Sequence, residues 1–245
     1  MSQKTVKLKK ETEDDYQYKE ALKTLRTNLQ FCGSNIRVIM FTSAMPDEGK
    51  SQVSFSVAES LAQIGKKVLF VDMDIRKSIL VSRYQIQESV FGLSQYLSGQ
   101  KTLEDVIYQS DTENMDIIFS GPYSPNPAEL LEEDLCVKMF EALRSLYDYI
   151  IVDTPPMADL IDGAIIARHC DGAVIVIESE AISYRLEQRI KKQLEKSGCR
   201  ILGAVLNKAD ISGSAYYGKY RGRYGGKYGK YDKYSKYAEH EKEKA

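Results

Sequence analysis

The sequence lacks any long run of apolar residues. A membrane-spanning helix needs about 20 predominantly apolar residues, and no segment of the 245 residues comes close to this. The first residues, Met-Ser-Gln-Lys, lead into a charged stretch and not into the apolar core of a signal peptide. The sequence therefore predicts a cytoplasmic chain that reaches a membrane only when a partner recruits it.

Cysteine is scarce and unpaired. The four cysteines lie far apart, and no two of them form a Cys-x-x-Cys pair; they are Cys32, Cys136, Cys170 and Cys199. This spacing supports neither a disulfide framework nor a zinc site. We expect reduced, buried thiols, as is usual in the cytosol.

The chain also has little net charge, but its charge is unevenly distributed. The formal value is −1, yet residues 216–245 carry nine Lys or Arg against four Asp or Glu, and residues 1–215 carry 25 against 31. An acidic body is thus followed by a basic tail. With 43% hydrophobic residues, the body is large enough for one α/β domain with a sizeable core.

A phosphate-binding loop is the feature around which the rest is organised. An apolar run, residues 36–41, leads into Thr-Ser-Ala-Met-Pro-Asp-Glu-Gly-Lys-Ser, residues 42–51, and then into a helix-like stretch. In such a loop, backbone N–H groups and the positive end of the helix surround a phosphate. Lys50 would contact its outer oxygens, Ser51 would offer a hydroxyl to Mg²⁺, and Gly49 would allow the backbone to come close.

Helix-like and strand-like segments alternate along the body. The apolar spacing predicts helices over residues 18–31, 52–64, 128–145, 162–169 and 185–197, and strands over residues 36–41, 68–71, 115–119, 149–153, 173–177 and 201–206. Residues 78–109 indicate short helices and no strand, and residues 1–15 are expected to be polar and mobile. Right-handed crossovers then give an α/β fold with a parallel sheet, P-loop NTPase-like, and helices on both faces.

Acidic residues follow two of the predicted strands. Asp72, Asp74 and Arg76 follow residues 68–71, and Asp153 ends the strand of residues 149–153. Ligands bind at the carboxyl ends of strands in such sheets, and a carboxylate opposite Ser51 is needed to hold Mg²⁺ or its waters. Asn207, at the end of the final strand, could read the edge of an adenine or could simply form a turn.

Two further stretches are distinctive. Glu20, Lys23 and Arg26 lie three residues apart on the first helix, which on spacing alone indicates a solvated face with local ion pairs.

After Ser212, eight tyrosines are interleaved with Gly, Lys and Arg; they are Tyr216, Tyr217, Tyr220, Tyr224, Tyr228, Tyr231, Tyr234 and Tyr237. This composition predicts a disordered tail, and basic residues interleaved with aromatic ones could also bind single-stranded nucleic acid. We therefore divide the chain into an N-terminal segment with the first helix over residues 1–34, a P-loop domain over 35–212 and a tail over 213–245.

The motifs together resemble those of the bacterial tyrosine kinases, or BY-kinases, in their separate cytoplasmic form from Gram-positive bacteria. The resemblance rests on the loop of residues 46–51, Asp-Met-Asp-Ile-Arg at 72–76, Asp-Thr-Pro-Pro at 153–156, the Pro-rich connector at 120–131 and the tyrosine tail. It implies a protein-tyrosine kinase that phosphorylates its own tail with ATP and Mg²⁺ and so controls capsule or exopolysaccharide synthesis.

The resemblance also implies roles for particular residues. The catalytic residues would be Lys50, Asp72, Asp74, Arg76 and Asp153, with Asp74 as the base. ATP would be held by Asp47, Glu48, Gly49, Lys50, Ser51 and Gln52, and Mg²⁺ by Ser51, Asp72 and Asp153. Asn207 joins the ATP contacts on its position at the end of the final strand, and not through the resemblance. The eight tail tyrosines would be phosphorylated, and Glu20, Lys23 and Arg26 would join subunits into a ring.

Partners follow from the same resemblance. They are a transmembrane regulator of polysaccharide chain length, which recruits and activates the kinase, and a tyrosine phosphatase. No nucleic acid is expected, because a nucleic-acid-binding module would leave the three nucleotide motifs unexplained.

Three positions depart from the usual patterns. Ala44 stands where the general phosphate loop has Gly, Asp47 where the kinases usually have Gly, and Lys23 where they usually have Arg. Asp tolerates left-handed backbone geometry, so we expect the loop to form. Lys23 lacks the planar fork of Arg, which weakens the expected subunit contact.

A second class of protein shares the loop. ATPases that position division sites or partition chromosomes use a similar phosphate loop, so a dimerising ATPase switch without kinase activity is the alternative. Such a switch has no evident need for eight clustered tyrosines, and the tail therefore favours the kinase.

Overall fold

A computed structural model of the chain describes residues 4–9, 16–181 and 183–209. The helices and strands of these residues all belong to the first of two compact units, Met1–Asn207. The predicted disordered tail, residues 213–245, and its eight tyrosines lie outside the described residues.

The described residues form nine helices and seven strands, and strands alternate with helices much as predicted. The helices are α1 Tyr16–Phe31, α2 Lys50–Ala62, α3 Leu80–Arg83, α4 Leu93–Leu97, α5 Leu103–Val106, α6 Pro127–Glu132, α7 Asp134–Arg144, α8 Asp162–Ala167 and α9 Tyr184–Lys196. The strands are β1 Val38–Ser43, β2 Val68–Asp72, β3 Ile107–Gln109, β4 Met115–Ile118, β5 Tyr149–Asp153, β6 Gly172–Glu178 and β7 Ile201–Asn207. The predicted helix over residues 128–145 is two helices, because Glu133 takes an extended conformation (φ −64°, ψ 147°) between α6 and α7.

One seven-stranded sheet forms the centre of the fold, in the order β3-β4-β2-β5-β1-β6-β7. Six strands run parallel, and β3 pairs antiparallel with β4 at one edge. The sequence predicted no strand in residues 78–109, and β3 escaped notice because three residues are too few to show an alternation.

Both faces of the sheet are covered, as predicted. Along β1, Val38 and Met40 pack into one core cluster while Ile39 and Phe41 pack into the other. This follows from the period of two in a strand, and a strand buried on both faces reads as a continuous apolar run. Helices α1 and α2 cover one face, and α7, α8 and α9 cover the other.

The N-terminal segment differs from the prediction. Residues 4–9 pack against the sheet: Val6 and Leu8 are buried, and backbone hydrogen bonds of 2.9 Å join Val6 N to Gln109 O and Gln109 N to Lys4 O. The segment thus extends the sheet beyond β3 and protects its open edge. The alternation of Val6 and Leu8 with lysines is a strand pattern, but the polar composition of the segment concealed it.

Among the described residues, none of the helices combines the length and the apolar character needed to cross a membrane.

Candidate active site

The phosphate loop connects β1 to α2 with two left-handed residues. Gly49 precedes the first residue of α2 at φ 85°, and a Cβ atom at this position would collide with the amide group of Asn207. Asp47 has φ 65°, which confirms the expectation that aspartate adopts the geometry usually given to glycine here. The first turn of α2 begins at Lys50, so its free N–H groups point into the loop.

Side chains and neighbouring segments fix the loop from several directions. The buried Glu48 accepts the backbone N–H of Met45 at 3.0 Å, and its carbonyl oxygen accepts a hydrogen bond from Asn207 Nδ2 at 2.9 Å. Near the start of the loop, Ala158 N donates to Ala44 O at 3.0 Å. Asn207 therefore lies against the loop, where its predicted contact with adenine remains a prediction.

Lys50 and Asp153 form a buried ion pair. Lys50 Nζ donates to Asp153 Oδ1 at 2.6 Å and to Ser51 Oγ at 3.1 Å, and the two charged side chains are only 8% and 3% exposed. Ser54 Oγ also donates to Asp153 Oδ1, at 3.2 Å. The lysine and hydroxyl of the loop are thereby brought to the carboxylate that ends β5.

Asp72 and Asp153 are directly opposite each other in the pairing of β2 with β5. Burial and the charge of Asp153 raise the pKa of Asp72 to about 7, although the hydroxyl of Ser78 donates to its carboxylate and opposes this. Two buried carboxylates side by side repel each other, and the site therefore favours a cation between or beside them.

The donors suit Mg²⁺ shared with a nucleotide. Ser51 supplies a hydroxyl, and Asp72 and Asp153 supply carboxylates, all of them hard oxygen ligands. Within the described ranges, no group of three or more Asp, Glu, His or Cys could hold a metal by itself. Mg²⁺ commonly binds through one or two carboxylates, substrate phosphates and waters, and the residues present fit that mode.

Asp74 borders a groove beside this centre. Its Oδ1 accepts the backbone N–H of Arg76 at 3.3 Å and of Lys77 at 3.0 Å, so the carboxylate is held on a tight turn. The groove has a volume of about 420 Å³ and is lined in part by Asp74, Val81, Val90, Gly121 and Tyr123. The start of the Pro-rich connector, residues 120–123, thus forms one wall of the groove.

Arg76 makes a contact that the sequence did not reveal. Its Nε donates to Asp162 Oδ2 at 2.5 Å and its Nη2 to Asp162 Oδ1 at 2.9 Å. Asp162 begins α8 and its side chain is 1% exposed. In the sequence it resembles any acidic residue in the first turn of a helix, which is why it was missed.

The remaining predicted residues lie near the loop or on α1. Ser51 and Gln52 lie on the first turn of α2. On α1, Lys23 pairs with Glu20 at 2.6 Å, and Arg26 Nη1 donates to Ser60 O and Oγ at 3.1 Å each, so this stripe is not part of the loop site.

Glu187 on α9 was not predicted from the sequence. Burial and the charge of Glu48 raise the pKa of Glu187 to about 7.

Comparisons with known proteins agree with this geometry. Residues 36–198 match a family described as an AAA domain. The tyrosine-protein kinase CpsD of Streptococcus agalactiae is 41% identical over 206 residues, which cover 84% of this chain and 89% of that protein.

Solved structures give the same result. The kinase domain of the Escherichia coli tyrosine kinase ETK superimposes with a TM-score of 0.73 at 34% identity, over 78% of this chain and 77% of that one. The chimerical protein CapA2B2 has a TM-score of 0.76 at 29% identity, over 84% and 94% of the two chains.

The alternative class shares the fold alone. The septum site-determining protein MinD of Pyrococcus horikoshii, solved with Mg-ADP, has a TM-score of 0.60 at 24% identity, over 69% of each chain. The kinase relatives are more similar and are matched over most of their length. With its phosphate loop, its paired acidic strand ends and these relatives, the chain belongs to the bacterial tyrosine kinases.

Proposed function

We propose that the chain transfers the γ-phosphoryl group of ATP to tyrosines of its own C-terminal tail and so regulates capsular or exopolysaccharide synthesis. The observation that carries this proposal is the convergence of Lys50, Asp72 and Asp153 at the phosphate loop, with Asp74 beside an open groove. The names of the relatives support the chemistry, and the tail supplies the acceptors.

The residues divide the reaction between them. Lys50 and the N–H groups of the loop bind the phosphates and stabilise the charge that develops during transfer. The acceptor oxygen attacks the γ-phosphorus, the bond from that phosphorus to the β,γ-bridging oxygen breaks, and ADP leaves. Asp74 takes the phenolic proton. Ser51, Asp72 and Asp153 would hold Mg²⁺, which would neutralise part of the charge on the phosphate oxygens.

The groove suits a tyrosyl acceptor. Val81, Val90 and Tyr123 provide apolar and aromatic surface for a phenol ring, while Asp74 lies at the same groove to receive its proton. Tyr123 is 74% exposed, so an aromatic acceptor can stack on it. An ATPase that passes the phosphoryl group to water needs no such surface.

Partners complete the proposal. A transmembrane regulator of polysaccharide chain length would recruit and activate the kinase, a tyrosine phosphatase would restore the tail, and the stripe Glu20, Lys23 and Arg26 would join subunits into a ring. The acidic body and basic tail give neighbouring chains opposite charges to attract each other.

The test is to incubate the purified full chain with ATP and Mg²⁺ and to map phosphotyrosine by mass spectrometry. We expect phosphate on Tyr216 to Tyr237 in the wild type and none in Lys50→Met. ADP formation without phosphotyrosine, in the presence of the activator, would favour the ATPase switch. Phosphate confined to Tyr16, Tyr18 or other tyrosines of the body would exclude the tail as substrate.

A further inference from the structure

We infer that Asp162 is a positioning residue for phosphotransfer: through Arg76 it holds the turn that carries Asp74 at the acceptor groove. This inference rests on the proposed kinase reaction. Asp162 lies outside the three motifs and 86 residues from Arg76 in sequence.

The contact between the two residues is a two-point clamp. Two nitrogens of the guanidinium meet two oxygens of the carboxylate, at 2.5 and 2.9 Å, and such paired bonds fix both distance and orientation. The Asp162 side chain is almost fully buried, whereas that of Arg76 is 34% exposed and lines the acceptor groove. Asp162 is therefore the fixed partner, and Arg76 is the element that it orients.

Asp162 is itself fixed relative to the phosphate loop. In the segment before it, Met157 N donates to Ser43 O at 2.9 Å and Ala158 N to Ala44 O at 3.0 Å. The next residue, Gly163, packs so closely on Met157 that a Cβ atom would lie 2.6 Å from its Cγ. The start of α8 is thus tied to the loop that binds phosphate.

On the other side of the clamp, Arg76 is two residues from Asp74. The Asp74 carboxylate accepts the N–H groups of Arg76 and Lys77, so a movement of Arg76 is transmitted directly to the proposed base. The clamp therefore fixes the base relative to the phosphates. Misplacement of a reacting group by about 1 Å can cost about 100-fold in rate, which sets the scale of the effect.

A second ion pair offers a matched control. Arg144 Nη2 lies 2.9 Å from Asp171 Oδ1, with side chains 36% and 20% exposed, and Asp171 also accepts the N–H groups of Arg37 and Val38. This pair joins the end of α7 to the start of β1, whereas the phosphate loop follows the other end of β1. Asp171→Asn removes a comparable ion pair and leaves the phosphate loop, Asp74 and the groove untouched.

The experiment compares Asp162→Asn, Arg76→Gln, the double variant and Asp171→Asn in the full chain. Phosphorylation of a tyrosine-containing peptide gives kcat and KM, and thermal unfolding gives stability. We expect Asp162→Asn and Arg76→Gln each to lower kcat by about 10- to 100-fold, and the double variant to be no worse than the more impaired single one. Asp171→Asn should lower the unfolding temperature and leave kcat near that of the wild type.

Amide hydrogen exchange separates this inference from the proposed function. Exchange in residues 73–79 should become faster in Asp162→Asn than in wild type, without a similar change in Asp171→Asn, whether or not the chain phosphorylates tyrosine. Multiplicative losses in the double variant, an unchanged kcat in Asp162→Asn, or exchange that rises equally in both Asn variants would overturn the positioning role. Absence of phosphotyrosine in the wild type, even in the presence of the activator, would instead refute the proposed function.

Discussion

At the scale of single residues, the buried Lys50–Asp153 pair determines how the site can be dissected. Lys50→Met removes the phosphate ligand but also leaves Asp153 buried without its cation, and breaking a buried pair from one side costs about 3–5 kcal/mol. Removing both charges avoids that penalty. We therefore expect Lys50→Met to unfold at a clearly lower temperature than Lys50→Met/Asp153→Asn, with both variants inactive. Equal unfolding temperatures would show that the unpaired Asp153 carboxylate carries no penalty.

Asp72 makes the metal-free protein sensitive to pH. Its pKa is about 7 in the folded chain and 3.8 ordinarily, so the folded state binds the proton more tightly. The stability gained from the protonated form is fully present below about pH 4 and is lost as the pH rises through about 7.

Asp72→Asn should therefore raise the unfolding temperature at pH 8 and change it much less at pH 5. The measurement is thermal unfolding with a chelator and without nucleotide, across this pH range. An equal rise in unfolding temperature at both pH values would contradict the raised pKa of Asp72.

At the scale of elements, the N-terminal segment stabilises the fold, although its polar composition conceals this contribution. Val6 and Leu8 are buried, whereas Lys7 between them is exposed. Burial of a leucine is worth about 2–5 kcal/mol by truncation to alanine, so Leu8→Ala should lower the free energy of unfolding on that scale. Lys7→Ala is the matched control and should leave it nearly unchanged in a denaturant titration. Similar values for the two variants would mean that the segment detaches without cost.

Helix α1 carries the proposed ring contact. The exposed Glu20–Lys23 pair is worth at most about 1 kcal/mol within one chain, so its loss should not unfold the protein. Arg26 is different, because it donates to Ser60 near the end of α2. Changing Glu20, Lys23 and Arg26 together to Ala should yield monomers in light scattering. Ser60→Ala removes one of the two Arg26 contacts on α2 but leaves the stripe intact, and it should stay oligomeric as the control for packing. An unchanged mass would restore the interpretation of the stripe as a solvated face.

At the scale of the whole molecule, the tail is predicted to act as a charge switch. Residues 213–237 carry seven Lys or Arg and one Asp. Each phosphotyrosine adds about −1.5 to −2 at neutral pH, so three or four cancel the positive charge and eight reverse it. A basic tail is attracted to the acidic body of a neighbouring chain, whereas a phosphorylated tail is repelled. Phosphorylation should therefore loosen the oligomer and end its own reaction.

The measurement is the oligomer mass in three samples: the unphosphorylated chain, the phosphorylated chain, and a variant with all eight tail tyrosines changed to Phe. The Phe variant keeps the basic charge and should remain associated in the presence of ATP. Equal masses in the three samples would refute the switch.

The sequence by itself determined the parts that depend on local chemistry. The strand, loop and helix of the phosphate site followed from an apolar run, Gly49 and Lys50. At Asp47, where related kinases usually have Gly, the tolerance of aspartate for left-handed geometry made the loop compatible with the sequence, and Asp47 adopts that geometry. The acidic ends of β2 and β5 were also recognised, because strands buried on both faces read as apolar runs that end abruptly at a charge. These features are encoded within a few residues of one another.

Only the tertiary structure decided which distant residues meet. The sheet order places β2 beside β5 and so brings Asp72 opposite Asp153, while the packing of α8 brings Asp162 to Arg76. The pairing of residues 4–9 with β3 was hidden for the same reason. Strand order and helix packing depend on burial summed over the whole core, and no periodicity within a single segment records it.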